Sequence, residues 1–352
     1  MMPALRTTAL LAFLLVVAAC SATPGSAGTP TTSVPQTLTN PALGQGADPF
    51  VVFTDGQYHQ ITSSSGGNGV AMRSATSLAT LSTAPEQELF RGGSDGSPCC
   101  EWWAPEVHQI GGRWYVYVAA DDGDNNHHRT YVLSADKITG PYGFDGQLRL
   151  PGDRWAIDAT VFTLGQTSYV VWSGWPGAKN GEQDLYISRL DSPTTVTGRA
   201  VRISRPQLDW ETHAGSVGVL VNEGPAALVS GGRVFLTYSG SGCWTPQYAL
   251  GMLTADATAD LLDPASWTKS PAPVFAPAEG SGLYGTGHNN FFTSPDGKQT
   301  WIVYHAVTNP EGSCGDDREV YAQPIGFAPD GTPQLGTPSA ADVPLPSGDP
   351  GR

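Results

Sequence analysis

Five stretches of the chain between residues 47 and 335 repeat one pattern of hydrophobic and polar positions. In each stretch an apolar run leads to a turn that contains glycine, and a second run follows in which aromatic or aliphatic residues alternate with polar ones. Alternation with a period of two is typical of a β-strand with one buried face, and two such runs around a glycine turn predict a β-hairpin. The copies span residues 47–64, 104–120, 157–174, 223–240 and 288–306.

The spacing of the copies indicates how these hairpins are assembled. The turn glycines lie 56, 53, 67 and 65 residues apart, and they are Gly56, Gly112, Gly165, Gly232 and Gly297. Units of this length built from strands and turns are typical of propeller blades, so five copies predict an all-β fold, a five-bladed β-propeller, over residues 47–335. A long β-sandwich is the structural alternative, but it requires no such regular spacing.

The N-terminal residues have the composition of an export signal. Arg6 is followed by an uncharged apolar run of eleven residues, Ala9 to Ala19, and then by Cys20. A helix needs about 20 residues to span a bilayer, so this run fits a signal peptide better. Its end resembles the bacterial lipoprotein signal, in which cleavage leaves a lipidated cysteine. We predict a lipoprotein signal over residues 1–19 and lipidation of Cys20, with ordinary secretion as the alternative.

A spacer and a short tail flank the predicted propeller. Of the 26 residues from 21 to 46, 17 are Ser, Thr, Pro or Gly, and none is charged. This composition cannot bury enough apolar surface to offset the entropy of ordering, so residues 20–46 are predicted to form a tether that starts at the lipidated cysteine. Residues 336–352 are predicted to be a polar tail. The expected mature protein is a monomeric cell-surface lipoprotein that is attached to a bacterial membrane only through its lipid anchor.

The charge balance excludes one large class of partner. The chain carries 18 Lys and Arg against 32 Asp and Glu, a net charge of −14, so it lacks the basic surface that nucleic-acid binding requires. Charged residues make up only 14% of the chain, against roughly 25% in an average domain. Ionisable side chains that recur at one repeat position are therefore unusual in this sequence.

Export also bears on the four cysteines beyond Cys20. Cys99, Cys100, Cys243 and Cys314 are an even number in an oxidising compartment, and they allow three pairings. We favour a disulfide between Cys243 and Cys314, which lie in comparable loops of successive repeats. The adjacent Cys99 and Cys100 are then either a vicinal disulfide or free thiols. No pair has the CxxC spacing of a zinc site.

Alignment of the repeats on their turns places an ionisable residue near the start of every first strand. These residues lie 8, 6, 7, 9 and 9 positions before the turn glycine, and they are Asp48, Glu106, Asp158, Glu223 and His288. A single acid at a strand end often only accepts hydrogen bonds from the backbone. Five ionisable residues on innermost strands would instead converge on the central channel. Carboxylates held close raise one another's pKa, which can keep one protonated beside an ionised partner.

An acid and a base carboxyl group together are the equipment of a glycoside hydrolase. Such a site also needs flat apolar surfaces against which a sugar ring can lie, and aromatic rings supply them. Five tryptophans lie near the ends of the repeats: Trp102, Trp103, Trp155, Trp175 and Trp244. Most tryptophans of a propeller belong to the blade core. We predict that Trp103 and Trp175 are the two that bind substrate.

These motifs resemble glycoside hydrolase family 43, which contains arabinanases, α-L-arabinofuranosidases and β-xylosidases with five-bladed propellers. The matching stretches include ADPFVVFTDGQYH from residue 47, WWAPEVHQIGGRWYVYVAA from residue 102 and GTGHNNFF from residue 285. The similarity extends from about residue 47 to residue 335 and includes all five repeats. The resemblance implies a glycosidase whose chemistry needs no cofactor.

The resemblance also implies a role for each carboxylate. Asp48 corresponds to the general base that activates water, and Glu223 corresponds to the general acid that protonates the leaving oxygen. Asp158 corresponds to the residue that orients the acid and raises its pKa. The family inverts configuration at the sugar, so the base and acid carboxyl groups are expected about 6.5–9.5 Å apart.

Three further residues match the family's motifs. His288 corresponds to a channel histidine that often holds a structural Ca²⁺ through water molecules, and it is expected to lie at the substrate. Arg318 corresponds to an arginine that contacts the sugar in the −1 subsite. Glu106, in the WAPE motif, is expected to be mainly structural.

The stretches CCEWWAPE and SGSGCW are most similar to the branch of exo-acting α-1,5-L-arabinofuranosidases. The expected reaction is release of terminal α-L-arabinofuranose from arabinan or arabino-oligosaccharides of plant origin. Within the family, the alternatives are a β-xylosidase, an arabinoxylan debranching enzyme and an endo-arabinanase. A non-catalytic sugar-binding lipoprotein is the alternative from a different class. The three carboxylates argue against it, because binding alone needs no acid and base pair.

Overall fold

The structure, a computed structural model, describes residues 37–352 of the chain. Strands dominate this part, as the repeats predict. Helical geometry is confined to short 3₁₀ segments, which are Leu78–Thr83, Asn125–His127, Asp209–Glu211 and Pro264–Ser266. The predicted signal peptide and Cys20 lie outside the described residues. Within residues 37–352, no helix is long and apolar enough to span a membrane.

Consecutive strands pair antiparallel into five sheets, each of which begins with one of the predicted hairpins. We number these sheets as blades 1 to 5 in chain order. Their strands are Phe50–Thr54, Gln57–Ser63, Gly69–Ala75 and Gln87–Arg91 in blade 1; Cys100–Ile110, Arg113–Asp121, Arg129–Ala135 and Gly143–Gln147 in blade 2; Ala156–Leu164, Thr167–Gly174, Glu182–Ser192 and Thr195–Ser204 in blade 3; Leu220–Ser230, Arg233–Gly240, Ala249–Asp256 and Thr268–Lys269 in blade 4; and Tyr284–Thr293, Thr300–Val307 and Glu319–Phe327 in blade 5.

The first strand of every blade lies against the first strands of its two neighbours, and the strand of blade 5 returns to contact that of blade 1. This closed ring makes the fold a five-bladed β-propeller, which confirms the predicted fold class. The five first strands therefore line the central channel. Blades 3 and 4 are also joined by a short parallel pairing of Glu182 with Leu220 and of Gln183 with Val221.

The hydrophobic core is divided into layers between neighbouring blades. Each layer combines apolar side chains from the facing surfaces of two sheets, as Phe50 and Ile61 of blade 1 do with Val107 and Trp114 of blade 2. Equivalent layers separate each of the other pairs of neighbouring blades. Every sheet is covered on both faces. Alternate residues of a strand therefore pack against the preceding blade and the following blade.

The two ends of the described chain belong to the folded domain, which corrects the predicted domain boundaries. Thr37–Leu38 pairs with Val343–Pro344, and Gly44–Gln45 pairs with the last long strand of blade 5, Glu319–Phe327. The side chains of Leu38 and Leu345 are both 1% exposed and pack in the layer between blades 5 and 1. A tether therefore cannot extend beyond residue 36, and residues 336–352 are not a free polar tail.

The propeller is also cross-linked by two disulfides. Cys243 is bonded to Cys314, the pair that the sequence analysis favoured, and Cys99 is bonded to the adjacent Cys100. The first bond joins the loop that follows the second strand of blade 4 to the loop that precedes the last long strand of blade 5. These two loops lead to Tyr248 and to Arg318, both of which contact the site described next.

Candidate active site

In every blade, one residue within or just before the first half of the innermost strand has a left-handed backbone and aligns with the same position in the other blades. These residues are Asp48, Ala104, Asp158, Gly224 and His288, with φ values of 47°, 45°, 56°, 55° and 46°. In blades 2 to 5 the pairing with the next strand shifts its register at this point, as a β-bulge does. Non-glycine residues rarely adopt this backbone conformation, and such strain is concentrated at functional sites. The same strained backbone conformation therefore occurs at an equivalent position of all five blades, on the strands that line the channel.

Four of the five aligned residues come together there, and the fifth has a different environment. Asp48, Asp158, Glu223 and His288 are close enough for their charges to change one another's pKa. Glu106 also contributes to the raised pKa of Asp158, but its carboxylate is held by the His108 ring at 2.9 Å. Glu106 is therefore within electrostatic range of the channel but pairs with His108, and the mainly structural role expected for it stays a prediction.

The misalignment has a physical cause. In blade 2 the left-handed residue is Ala104, two positions before Glu106, and in blade 4 it is Gly224, one position after Glu223. The alignment on the turn glycines allowed separations of six to nine residues, so it could not determine which residue of each strand has the left-handed backbone. A bulge adds unpaired residues to one strand, so the count drifts by one or two positions.

Asp48 carries a carboxylate whose two oxygens have different surroundings. Its Oδ1 atom lies 3.0 Å from His288 Nδ1 and 3.2 Å from Arg318 Nη1. Burial alone would raise the pKa of Asp48, but the positive charges of His288 and Arg318 outweigh it and hold the pKa well below its usual range. Its side chain is 21% exposed. Among residues 37–352 no hydrogen-bond partner contacts Oδ2, so this oxygen is free to accept a proton from a water molecule.

His305 supports Asp48 from the second strand of blade 5, and the sequence analysis did not identify it. The Asp48 backbone N–H donates to His305 Nδ1 over 3.2 Å, so this nitrogen is an acceptor and the ring is neutral. Asp48 Oδ1 lies 3.3 Å from the same nitrogen, but a nitrogen that accepts cannot also donate. Burial lowers the pKa of His305 to about 4, in agreement with a neutral ring. In the sequence His305 fits the alternating pattern of the second strand of its repeat, so nothing there indicates that it contacts the site.

Glu223 has the opposite protonation state. Burial and the charge of Asp158 raise its pKa to about 8, so the side chain is protonated at neutral pH. The Tyr248 hydroxyl donates to Glu223 Oε1 over 2.9 Å. Because Oε1 accepts this hydrogen, the proton of the carboxyl group resides on Oε2. Burial, together with the neighbouring carboxylates, raises the pKa of Tyr248 well above its usual range, so the hydroxyl stays a donor.

Asp158 holds the backbone next to Glu223 in place. Its Oδ2 atom accepts a hydrogen bond from the Gly224 N–H over 3.0 Å, directly after Glu223 in the chain. Burial raises the pKa of Asp158 to about 6, the charge of His288 opposes this shift, and Asp48 adds to it. Asp158 and Glu223 titrate as one coupled pair. At neutral pH this pair holds one proton, and that proton is on Glu223.

Glycine at position 224 is required by the packing of the channel. A Cβ atom there would lie 2.9 Å from Cγ of the His288 ring, and the backbone φ of +55° also disfavours a side chain. Burial would lower the pKa of His288, but the charges of Asp48 and Asp158 outweigh it and raise the pKa to about 10. Gly224 therefore admits a positively charged ring between the carboxyl groups of Asp48, Asp158 and Glu223, where it offsets the repulsion between the two that are ionised.

A cavity of about 710 Å³ opens beside Asp48, and it contains two of the residues predicted to bind substrate. Arg318 lines it, and the Arg318 Nε atom is held by the Gly315 carbonyl oxygen at 3.1 Å. Trp103 also lines it and is half-buried. The Trp103 ring is stacked on the buried His128 ring, with centroids 4.0 Å apart. His128 therefore covers one face of the Trp103 ring and holds the ring in place.

Trp175 does not line this cavity, which corrects the prediction that it binds substrate beside the carboxylates. Its side chain is 4% exposed and its ring is stacked on that of Trp155, with centroids 4.8 Å apart. It lines a separate cavity on blade 3 instead. The sequence places Trp175 at the end of the second strand of its repeat, and the direction of its side chain cannot be deduced from that position.

The side chains around the channel do not fit a directly bound metal ion. Within residues 37–352, no three His, Cys, Asp or Glu side chains are placed to bind one ion. With its pKa raised to about 10, the His288 ring is protonated and offers no free lone pair to a cation. Calcium binding through water molecules at His288 stays a prediction, and no chemical step is assigned to it.

Tyr248→Phe removes the hydrogen bond to Glu223 Oε1 and keeps the ring. This bond favours the ionised carboxylate, so its loss is expected to raise the pKa of Glu223 further and to move the alkaline limb of the activity profile to higher pH. At neutral pH we expect kcat to fall by up to about tenfold, because the acid is less firmly oriented. The measurement is kcat as a function of pH from 5 to 10.

The matched control is Tyr117→Phe in blade 2, which removes one hydrogen bond from a buried tyrosine to the Pro193 carbonyl oxygen. It is expected to leave the alkaline limb in place even if it lowers the free energy of unfolding. An alkaline limb that moves to lower pH in Tyr248→Phe, or that moves equally in both variants, would contradict the assignment.

Comparison with known proteins agrees with the geometry. A family model described as glycosyl hydrolases family 43 matches residues 38–333. The chain is 40% identical over 346 residues to an extracellular exo-α-(1→5)-L-arabinofuranosidase from Streptomyces avermitilis, a match that covers 96% of this chain and 70% of the relative. It is also 40% identical over 278 residues to a protein of the same description from Streptomyces chartreusis, covering 77% of this chain and 83% of that one.

A solved structure shows the same similarity in three dimensions. The α-L-arabinofuranosidase from Lactobacillus brevis superimposes with a TM-score of 0.78 at 36% identity, over 85% of this chain and 96% of that chain. A thermostable family-43 glycoside hydrolase superimposes with a TM-score of 0.75 at 24% identity, which supports the fold.

Proposed function

The chain belongs to family 43 of the glycosyl hydrolases and is a glycosidase, and we propose that it releases terminal α-L-arabinofuranose from arabinan or arabino-oligosaccharides. The observation that carries the proposal is the contrast between two carboxyl groups in one channel: Asp48 is ionised and Glu223 is protonated at neutral pH. Such a contrast is how a glycosidase separates its base from its acid. The substrate is inferred from the 40% identical relatives that are described as exo-α-(1→5)-L-arabinofuranosidases.

The proposed reaction is a single displacement. A water molecule gives a proton to Asp48 Oδ2 while its oxygen forms a bond to the anomeric carbon of arabinofuranose. The bond from that carbon to the glycosidic oxygen breaks, and Glu223 gives the proton on Oε2 to the leaving oxygen. Arabinose and a shortened glycan are released, and proton exchange through solvent restores Asp48 and Glu223. The anomeric configuration is inverted, because water attacks from the side opposite the leaving group.

The remaining residues position these two groups and the sugar. Asp158 holds the backbone beside Glu223 and raises the pKa of the acid. Arg318 and His288 hold Asp48 Oδ1, so that Oδ2 faces the water. Arg318 and Trp103 line the cavity in which the sugar would lie, and Trp103 would offer its free face to the ring.

Three substrates test the proposed specificity: nitrophenyl α-L-arabinofuranoside, nitrophenyl β-xyloside and linear arabinan. We expect hydrolysis of the arabinofuranoside and release of arabinose alone from linear arabinan. Cleavage of the xyloside but not of the arabinofuranoside would assign the chain to the β-xylosidases. Arabino-oligosaccharides as the first products would assign it to the endo-arabinanases.

We further propose that the exported protein is held at the cell surface by a lipid on Cys20. The sequence before Cys20 supports this, as does the extracellular location given for the two Streptomyces relatives. Cys20→Ala is expected to remove the lipid-dependent anchoring, so that activity moves from the detergent phase of a phase separation to the aqueous phase. Ser21→Ala, which keeps the cysteine, serves as the control. Wild-type protein found wholly in the aqueous phase would refute lipidation.

A further inference from the structure

Blade 3 carries a second cavity of about 400 Å³ that contains none of the four channel residues. Two stacked aromatic pairs line it. Trp155 lies on Trp175 with ring centroids 4.8 Å apart, and Trp172 lies on Tyr186 with centroids 5.8 Å apart. Cavities of this size with mostly apolar walls and a few polar groups are typical of small-ligand sites.

Two arginines complete the lining of this cavity, Arg154 and Arg199. Both are exposed, and within residues 37–352 neither guanidinium forms an ion pair with a carboxylate. Arg154 donates one hydrogen bond, to the Pro176 carbonyl oxygen. Arg149 and Lys179 also lack an ion pair among the described residues, so the distinguishing feature here is that two unpaired guanidinium groups line one cavity. Two uncompensated guanidinium groups at one cavity form a local site for an anion, and their planar donors suit a carboxylate.

The indole N–H groups of the stacked pair Trp155 and Trp175 differ in their contacts. The Trp175 indole N–H is buried and has no hydrogen-bond partner in the described part of the chain. Because this nitrogen has almost no accessible surface, a ligand in the cavity would contact it only if the Trp175 ring moved. The neighbouring Trp155 N–H, in contrast, donates to the Asn125 carbonyl oxygen over 2.8 Å.

We propose that this cavity is a second carbohydrate site, which binds a sugar that carries a carboxylate, a hexuronate residue of an acidic polysaccharide. The arginines would bind the carboxylate, and the ring edges that the aromatic residues expose, chiefly that of the partly buried Tyr186, would contact the apolar face of the sugar ring. A neutral sugar would leave both guanidinium groups without a partner, and an inorganic anion would leave the aromatic walls uncovered.

The site goes beyond the proposed reaction, since it contains no acid and base pair and needs no arabinofuranose. It would hold the enzyme on an acidic glycan while the channel acts on arabinose. The direct test is titration with trigalacturonate, followed by the NMR signals of the tryptophan indole N–H groups. The matched ligand is the same trisaccharide with each carboxylate reduced to an alcohol.

We expect trigalacturonate to shift the Trp175 indole signal and to bind about tenfold or more tightly than the reduced trisaccharide. An increase in salt from about 50 mM to about 500 mM should weaken its binding, because exposed arginines are screened. Arg154→Ala and Arg199→Ala should each weaken binding about tenfold. The control is Arg91→Ala, which removes the same charge from blade 1 at a side chain that is 73% exposed. It should leave the affinity unchanged.

Equal affinity for the two trisaccharides, no binding of trigalacturonate, or equal loss in the Arg91→Ala control would overturn the proposal. Hydrolysis of nitrophenyl α-L-arabinofuranoside should be unchanged in Arg154→Ala and Arg199→Ala, which shows that both variants fold. Neither ligand contains arabinofuranose, so failure of the proposed reaction would leave the binding result intact.

Discussion

Glu223→Gln is expected to lower kcat on arabino-oligosaccharides by about 10²- to 10⁴-fold, because one positioned general acid contributes about that factor. Glutamine has the same shape and can still accept the Tyr248 hydrogen bond, so the fold should be kept. It has no proton to give to the leaving oxygen. The alkaline limb near pH 8 that reflects Glu223 in the wild type should disappear from the residual activity.

The chemistry of the leaving group distinguishes a lost acid from a general defect. A nitrophenolate leaves without help from a proton, so the loss on nitrophenyl α-L-arabinofuranoside should be much smaller than the loss on an oligosaccharide. Glu106→Gln is the matched control, since Glu106 is also a buried glutamate of an innermost strand but is held by His108. It is expected to keep kcat within a few fold. Equal losses on both substrates, or an unaffected kcat in Glu223→Gln, would remove Glu223 from the role of acid.

Asp48→Asn is expected to lower kcat by about 10²- to 10⁴-fold on every substrate, whatever the leaving group. Asparagine can still accept the Arg318 hydrogen bond through its oxygen, but it cannot take a proton from water. Water must attack whether the leaving group is good or poor, so kcat should fall as much on the nitrophenyl substrate as on the oligosaccharide. This dependence is the reverse of that expected for Glu223→Gln.

The comparison of the two variants is the test, and it needs only two substrates. A loss in Asp48→Asn that is large for the oligosaccharide and small for the nitrophenyl glycoside would mean that Asp48 assists departure and not attack. Melting temperatures of both variants should be measured beside the rates. Asp48→Asn removes the carboxylate that contacts both His288 and Arg318, so some loss of stability is expected in this variant.

The repeats were sufficient to predict the fold because both of their signals are local. Alternation along each strand reflects a sheet covered on both faces, and regular spacing of Gly56, Gly112 and their counterparts reflects one hairpin per blade. Neither signal depends on contacts between distant residues. The predicted domain boundaries were wrong because Thr37–Leu38 and Val343–Pro344 pair with each other. This contact joins residues about 300 positions apart, which local sequence patterns do not reveal.

The site was predictable where the residue type itself signals chemistry. Asp48, Asp158, Glu223 and His288 were identified because ionisable residues recur at one repeat position in a chain with few charges. His305 and Tyr248 were missed, since both occupy positions where a buried aromatic or polar residue is ordinary, and only the fold brings them to the carboxylates. Glu106 has the smallest separation from its turn glycine, six residues, but the sequence does not show where the bulge of blade 2 lies.

The stereochemistry of the first product tests the central claim most directly, because the separation of roles between Asp48 and Glu223 requires inversion. Hydrolysis of an α-L-arabinofuranoside should be followed by ¹H NMR within the first minutes, before mutarotation mixes the anomers. We expect β-L-arabinofuranose to appear first and the α anomer to form later by mutarotation. Initial formation of the α anomer would mean net retention, and it would contradict the assignment of Asp48 as the base that activates water.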